Sequence, residues 1–197
     1  DSTIKLTQSW DAQMRMEMEY QIDSTNKLIL RPQINYTNSR YDQTNDYVYN
    51  RDTMRINEGY QNQYSLQEDI KASMRVIYNH KFAKPGRILT LRGNVSFTNT
   101  KGNTDTYAWD NVQNMALVDQ YTLSKSNALN YSLRASYVEP IYQKNHFLEM
   151  VISFFGNNRS SIKNQYTMDS IVGDYVYDNE YSNSLLNNIY SEQLELN

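Results

Sequence analysis

The sequence predicts an all-β chain, an antiparallel up-and-down meander of about seven long strands that forms a section of a transmembrane outer-membrane β-barrel. Three observations predict it. Apolar side chains recur at every second position over long stretches, which is the period of a strand and not of a helix. Short turns alternate with long polar connections, the wiring of a membrane barrel. Tyrosine accounts for 18 of the 197 residues, and several tyrosines fall where strands meet turns.

The first hairpin falls near residues 11–38. Met14, Met16, Met18, Tyr20 and Ile22 alternate with polar neighbours. Asp23-Ser24-Thr25-Asn26 supplies turn residues, and Leu28, Leu30, Pro32, Ile34 and Tyr36 share one face of the return strand. Pro32 marks an edge or an irregularity, because proline cannot donate to a ladder. The second hairpin, near 64–100, carries Leu66, Ile70, Ala72, Met74, Val76 and Tyr78 up to the break at Lys84-Pro85-Gly86-Arg87. It returns through Leu89, Leu91, Gly93, Val95 and Phe97. The third, near 121–159, runs Leu129, Tyr131, Leu133, Ala135 and Tyr137, turns around Pro140, and returns through Leu148, Met150, Ile152 and Phe154. A seventh strand is expected near the end, around Leu194 and Leu196. The stretches near 39–63, 101–120 and 160–183 are crowded with Asn, Asp, Ser, Thr and Tyr and are expected to be long loops.

Composition fits this reading. Only 39% of the residues are hydrophobic, and mean hydropathy is -0.78. No run approaches the roughly 18 apolar residues of a membrane helix. A membrane barrel needs only every second residue to be apolar. The expected lipid-facing residues are Met14, Met16, Met74, Val76, Leu89, Leu91, Leu133 and Ile152. Tyr20, Tyr78, Phe82, Tyr137, Tyr142 and Phe147 are candidates for one aromatic girdle. The absence of cysteine excludes a disulfide framework and a thiolate metal site. The formal net charge is -3 without a basic cluster, so nucleic acid is not an expected partner. The start at Asp1 and the end in an apparent strand are expected of a piece of a longer barrel.

The segments Leu28–Asp42 (LILRPQINYTNSRYD) and Leu133–Met150 (LRASYVEPIYQKNHFLEM) resemble the outer-membrane β-barrel family related to TonB-dependent receptors. The shared features are an Arg-Pro after an apolar start and a Tyr-Val-Glu-Pro turn before the return strand. The resemblance implies a large barrel in the cell outer membrane that takes up a nutrient. Its implied partners are membrane lipid, the rest of the barrel, a plug domain, an inner-membrane energy-coupling protein and a surface lipoprotein. Neither a plug nor a TonB box is recognisable in these residues.

No catalytic pattern stands out, and the chain is expected not to be an enzyme and to use no cofactor. His80 and His146 lie near short turns, and two histidines without a spaced carboxylate fall short of a metal site. The acids Asp42, Asp46, Asp52, Asp105, Asp110, Asp169, Asp174 and Asp178 lack the spacing of a calcium loop. Tyr47, Tyr49, Tyr107, Trp109, Tyr175 and Tyr177, set among acids and amides, are the expected contacts for a small-molecule, peptide or glycan ligand. The alternative reading is a soluble β-sandwich module that recognises glycan or protein through the same Tyr-rich loops, with the apolar face packed on a second sheet.

Overall fold

The computed structural model describes residues 2–51, 54–142 and 146–197. All of its regular structure is strand: β1 (Ser2–Arg15), β2 (Met18–Gln21), β3 (Asn26–Arg51), β4 (Met54–Lys81), β5 (Ile88–Asp110), β6 (Met115–Tyr142), β7 (His146–Asp169) and β8 (Asp174–Leu196). They form one antiparallel sheet in the order β1-β3-β4-β5-β6-β7-β8, with β2 also on β3. Each strand lies beside its sequence neighbour, so the meander is up-and-down. The sheet is open, with β1 and β8 at its edges.

The lane formed by β1 and β2 is one strand interrupted at Met16-Glu17, and Pro32 is the reason. The Met16 N–H donates to the Pro32 carbonyl at 3.1 Å. Proline has no N–H to return the bond, so half of that ladder pair is missing. The register on either side is unbroken, with Arg15 opposite Gln33 and Met18 opposite Leu30.

Most of the residues expected in long loops are strand. In place of loops at 39–63, 101–120 and 160–183, β3 continues to Arg51, β4 begins at Met54, β5 runs to Asp110 and β6 begins at Met115. Likewise β7 reaches Asp169 and β8 starts at Asp174. Thr, Tyr, Asn, Gln and Ser pair across a ladder without any apolar alternation when both faces are wet. The Ser65 and Thr104 hydroxyls, 2.9 Å apart, are one such pair.

Two far-end turns share one chemistry. Asp110 Oδ1 accepts from the N–H groups of Val112 (2.7 Å) and Gln113 (2.9 Å), and Asn114 takes a positive φ of 53°. Asp169 Oδ1 accepts from Ile171 (2.7 Å) and Val172 (3.2 Å), and Gly173 takes φ 74°. In each, an aspartate caps the turn and a residue suited to the left-handed region closes it.

The near-end turns are equally specific. At Lys84–Arg87, Gly86 has φ 85° and the Arg87 N–H donates to the Lys84 carbonyl at 3.1 Å. That is the geometry Pro-Gly favours. Asp23 accepts from the Asn26 side chain (2.7 Å), the Thr25 hydroxyl (2.7 Å) and the backbone N–H groups of Thr25 (2.7 Å) and Asn26 (2.8 Å). These bonds favour its charged form and lower its pKa from 3.8 to about 2. Because the folded value lies below the unfolded one, the turn's stabilisation is complete above pH 3.8 and is lost as pH falls towards 2. A carboxyl titration followed by NMR is expected to place the Asp23 midpoint near 2, and an ordinary midpoint would show that the bonds do not form.

Candidate functional site

Register partners on neighbouring antiparallel strands project to the same face. The register therefore sorts the side chains. Met14, Ile34, Ala72, Phe97 and Leu129 form one row across the sheet, and Met18, Leu30, Val76, Gly93 and Leu133 form another. Met16, Met74, Leu89, Leu91 and Ile152 lie on this same face, so all eight expected lipid-facing residues share it. The face is uncovered: Leu133 and Ile152 are each 62% exposed, and the apolar side chains buried among the described residues, Ile29, Ala108 and Val151, lie on the opposite face. A β-sandwich would need a second sheet over this face. The described residues form a single sheet.

On each of five consecutive strands the apolar parity occupies a window of five side chains. These are 28–36 on β3, 70–78 on β4, 89–97 on β5, 129–137 on β6 and 148–156 on β7, with Pro32, Gly93 and Gly156 the small or special members. Such a window matches the roughly 9–11 residues a strand needs to cross a bilayer. The windows are not level. Those of β3 and β4 are in register (Leu28 opposite Tyr78, Tyr36 opposite Ile70), as are those of β5 and β6 (Leu89 opposite Tyr137, Phe97 opposite Leu129). Between β4 and β5 the window moves two residues towards the short turns, since Leu91 faces Tyr78. It moves two more between β6 and β7, where Met150 faces Tyr137. The mean step is about one residue per strand. At about 3.4 Å per residue and about 4.8 Å between strands, that is a band inclined about 35° to the ladder, the strand tilt of a closed membrane barrel. β8 departs from the pattern, with Glu192 opposite Phe154.

The short-turn margin of the band is aromatic and ionic. Phe82 packs edge-on against His80 (ring centroids 4.4 Å apart) and Tyr137 (6.0 Å). Tyr20 and Tyr78 both pair with Leu28 and share its row, the Tyr142 side chain lies outside the described residues, and Phe147 pairs with Pro140. Glu139 accepts from Arg87 Nε (2.7 Å), Lys84 Nζ (2.7 Å) and the Tyr137 hydroxyl (2.8 Å). The Arg87 guanidinium foremost, with Lys84 and Tyr137, holds the Glu139 carboxyl at a pKa of about 2. His80 Nδ1 lies 2.6 Å from Asn26 Oδ1, which also accepts from the Tyr78 hydroxyl.

The six expected ligand contacts do not converge on one surface. Tyr107, Trp109, Tyr175 and Tyr177 lie on the face that carries the apolar windows, far beyond them. Tyr47 and Tyr49 lie on the opposite, polar face. Tyr107 stacks on Trp109 (6.4 Å, 16° between planes) and meets Tyr60 at 6.1 Å. Tyr177 meets Tyr166, which meets Tyr121. The Tyr175 hydroxyl donates to Asp119 at 2.5 Å. That bond, then burial and the charges of Asp119 and Asp105, push its pKa up to about 12. Asp105 is itself raised, first by burial and then by Asp119. Tyr64, Tyr107, Tyr175 and these two acids line a small depression of about 240 Å³. The aromatics therefore lock neighbouring strands together, and Tyr47 reaches the Trp109 carbonyl at 3.4 Å across Gly59.

No protein-family model matches the chain, and no curated protein does. The crystal structure of the ferric yersiniabactin uptake receptor FyuA from Yersinia pestis is similar with a TM-score of 0.32 and 8% identity. The similarity covers 96% of this chain, which spans 39% of that receptor chain.

Proposed function

We propose that this chain is part of the wall of a transmembrane β-barrel in the cell outer membrane, with its apolar windows on lipid and its other face on an aqueous or plug-filled lumen. The observation that carries this reading is the inclined band. Five strands each offer an apolar stretch of membrane-crossing length, and the stretches slip by about the step a tilted barrel requires. Lys101 and Lys125 add support. Each stands on the apolar-face parity four residues beyond its window (Phe97 on β5, Leu129 on β6), where long cationic side chains reach a head-group layer.

The finer reading is a section of a TonB-dependent receptor-like protein for nutrient uptake. It rests on the resemblance of segments 28–42 and 133–150. In that setting the partners are the remaining strands, a plug, an inner-membrane energy-coupling protein and a surface lipoprotein.

The chain has no cysteine, so single cysteines can be placed freely. Fluorophores on Met74→Cys and Leu133→Cys in nanodiscs are expected to be quenched by lipids brominated along their tails. Labels on Ser73→Cys and Ser132→Cys, the adjacent residues of opposite parity, are expected to stay bright. Equal quenching on the two parities would overturn the barrel-wall reading.

A further inference from the structure

The polar face carries a feature that a simple wet surface does not need. Arg31 lies directly opposite Arg75, and Arg92 lies directly opposite Arg134. Arg75 faces Asn94, two residues from Arg92 on the same strand face, so the two pairs are diagonal neighbours. Four arginines on one face thus occupy neighbouring ladder positions across β3, β4, β5 and β6, with Asn94 facing Arg75 between the two pairs. Like charges directly opposite each other in a ladder are unfavourable.

Their depth is also uniform. Arg31 is three residues from Leu28, Arg75 from Tyr78, Arg92 from Leu89 and Arg134 from Tyr137, the short-turn ends of the four apolar windows. The arginines therefore follow the incline of the band and lie at one level of the wall. Two of them, Arg31 and Arg75, line a depression of about 840 Å³ together with Arg15, Lys71 and Glu17.

Local anions answer little of this charge. Arg31 is paired with Glu17, through Nε to Oε2 at 2.9 Å and Nη2 to Oε1 at 3.2 Å. Arg134 reaches Glu195 only at 3.9 Å. Arg75 Nε donates to the neutral amide oxygen of Asn94 at 2.8 Å. Among the described residues, Arg92 pairs with no carboxylate.

We infer that Arg31, Arg75, Arg92 and Arg134 form an anion-binding belt on the polar face, for a solute carrying two or more carboxylate or phosphate groups. Guanidinium forks bind such groups in two-bond fashion, and a row of them spaced along adjacent strands suits several anionic groups on one molecule. Rings of arginine are also a means by which pores favour anions. This inference rests on the barrel-wall reading for its place in the lumen, and it names the class of cargo for that lumen.

The test uses the full chain in nanodiscs, with inorganic pyrophosphate and citrate as probes and sucrose as a neutral control. Calorimetry is expected to show saturable binding of both anions and none of sucrose. Arg92→Gln, which removes no ion pair, and Arg75→Gln/Arg92→Gln are each expected to weaken pyrophosphate binding at least about tenfold. Lys163→Gln, on the polar face well above the belt, is expected to leave it unchanged. Thermal unfolding supplies a second readout, with pyrophosphate raising Tm for the parent and for Lys163→Gln but not for the arginine variants. Absence of saturable anion binding, or equal binding by the parent and the arginine variants, overturns the belt. The lipid-quenching pattern at Met74 and Leu133 is read on the same preparation. If it holds while the anions fail to bind, only the belt is lost; if it fails, the barrel-wall reading falls.

Discussion

Arginine at Met74 or at Leu133 is expected to destabilise the protein in a bilayer by about 2–4 kcal/mol each, whereas arginine at Ser73 or Ser132 costs less than about 1 kcal/mol. Met74 and Leu133 are the middle members of the 70–78 and 129–137 windows, so they sit deepest in the band. A guanidinium there must leave water or drag it in, and the penalty peaks at mid-membrane. Ser73 and Ser132 differ by one residue in sequence but project to the other face, where several arginines already stand. Their cost is the modest repulsion of an added like charge. Urea unfolding from lipid vesicles, comparing midpoints at constant slope, measures the difference. Equal costs at adjacent positions would remove the physical basis for lipid contact.

Gly59→Ala is expected to cost about 1–3 kcal/mol and to loosen the far ends of β3, β4 and β5. A Cβ at Gly59 would lie 2.0 Å from the Trp109 carbonyl oxygen and 2.6 Å from the Tyr47 hydroxyl. The tyrosine can swing away, but the carbonyl belongs to the backbone of the paired strand. Gly59 pairs with Asp110 and Tyr60 with Trp109 in the regular β4–β5 ladder. Ring removal by Tyr47→Ala is therefore expected not to rescue Gly59→Ala. Gly156 makes the contrast: a Cβ there meets the Tyr131 ring, with Cζ at 2.3 Å, which is a side chain that can move. Hydrogen exchange of the Asn111 amide, bonded to the Glu58 carbonyl at 2.7 Å, reports the loosening. Unchanged protection there would contradict the clash.

What the sequence made legible follows from solvent asymmetry. Where one face is oily and the other wet, as from Ile70 to Tyr78 or Leu129 to Tyr137, period two identifies the strand and assigns its faces. Beyond Asn38 on β3 or Asn99 on β5 polar side chains and tyrosines dominate both faces, the alternation vanishes, and a strand reads as a loop. The turn chemistry survives there, in Asp110 with Asn114 and Asp169 with Gly173, at a spacing that marks tight turns. The split of Tyr47 and Tyr49 from Tyr107 and Trp109 was not legible, because cross-strand facing depends on ladder register, which runs unbroken from the apolar windows out to these residues only if the segments read as loops are strands. The arginine belt was hidden for the same reason. Each arginine reads singly as a polar neighbour of an apolar residue, and only ladder alignment puts the four at one depth.

A ribbon whose described residues bury only Ile29, Ala108 and Val151 among the apolar side chains has almost no interior there. The force that normally condenses a protein in water acts on oily surface that can hide, and here most of it has nowhere within the chain to go. Shape is then a joint property of polypeptide and surrounding solvent. Stripped of amphiphile, the same residues should clump with their own kind, so detergent or lipid belongs in the refolding buffer from the first step.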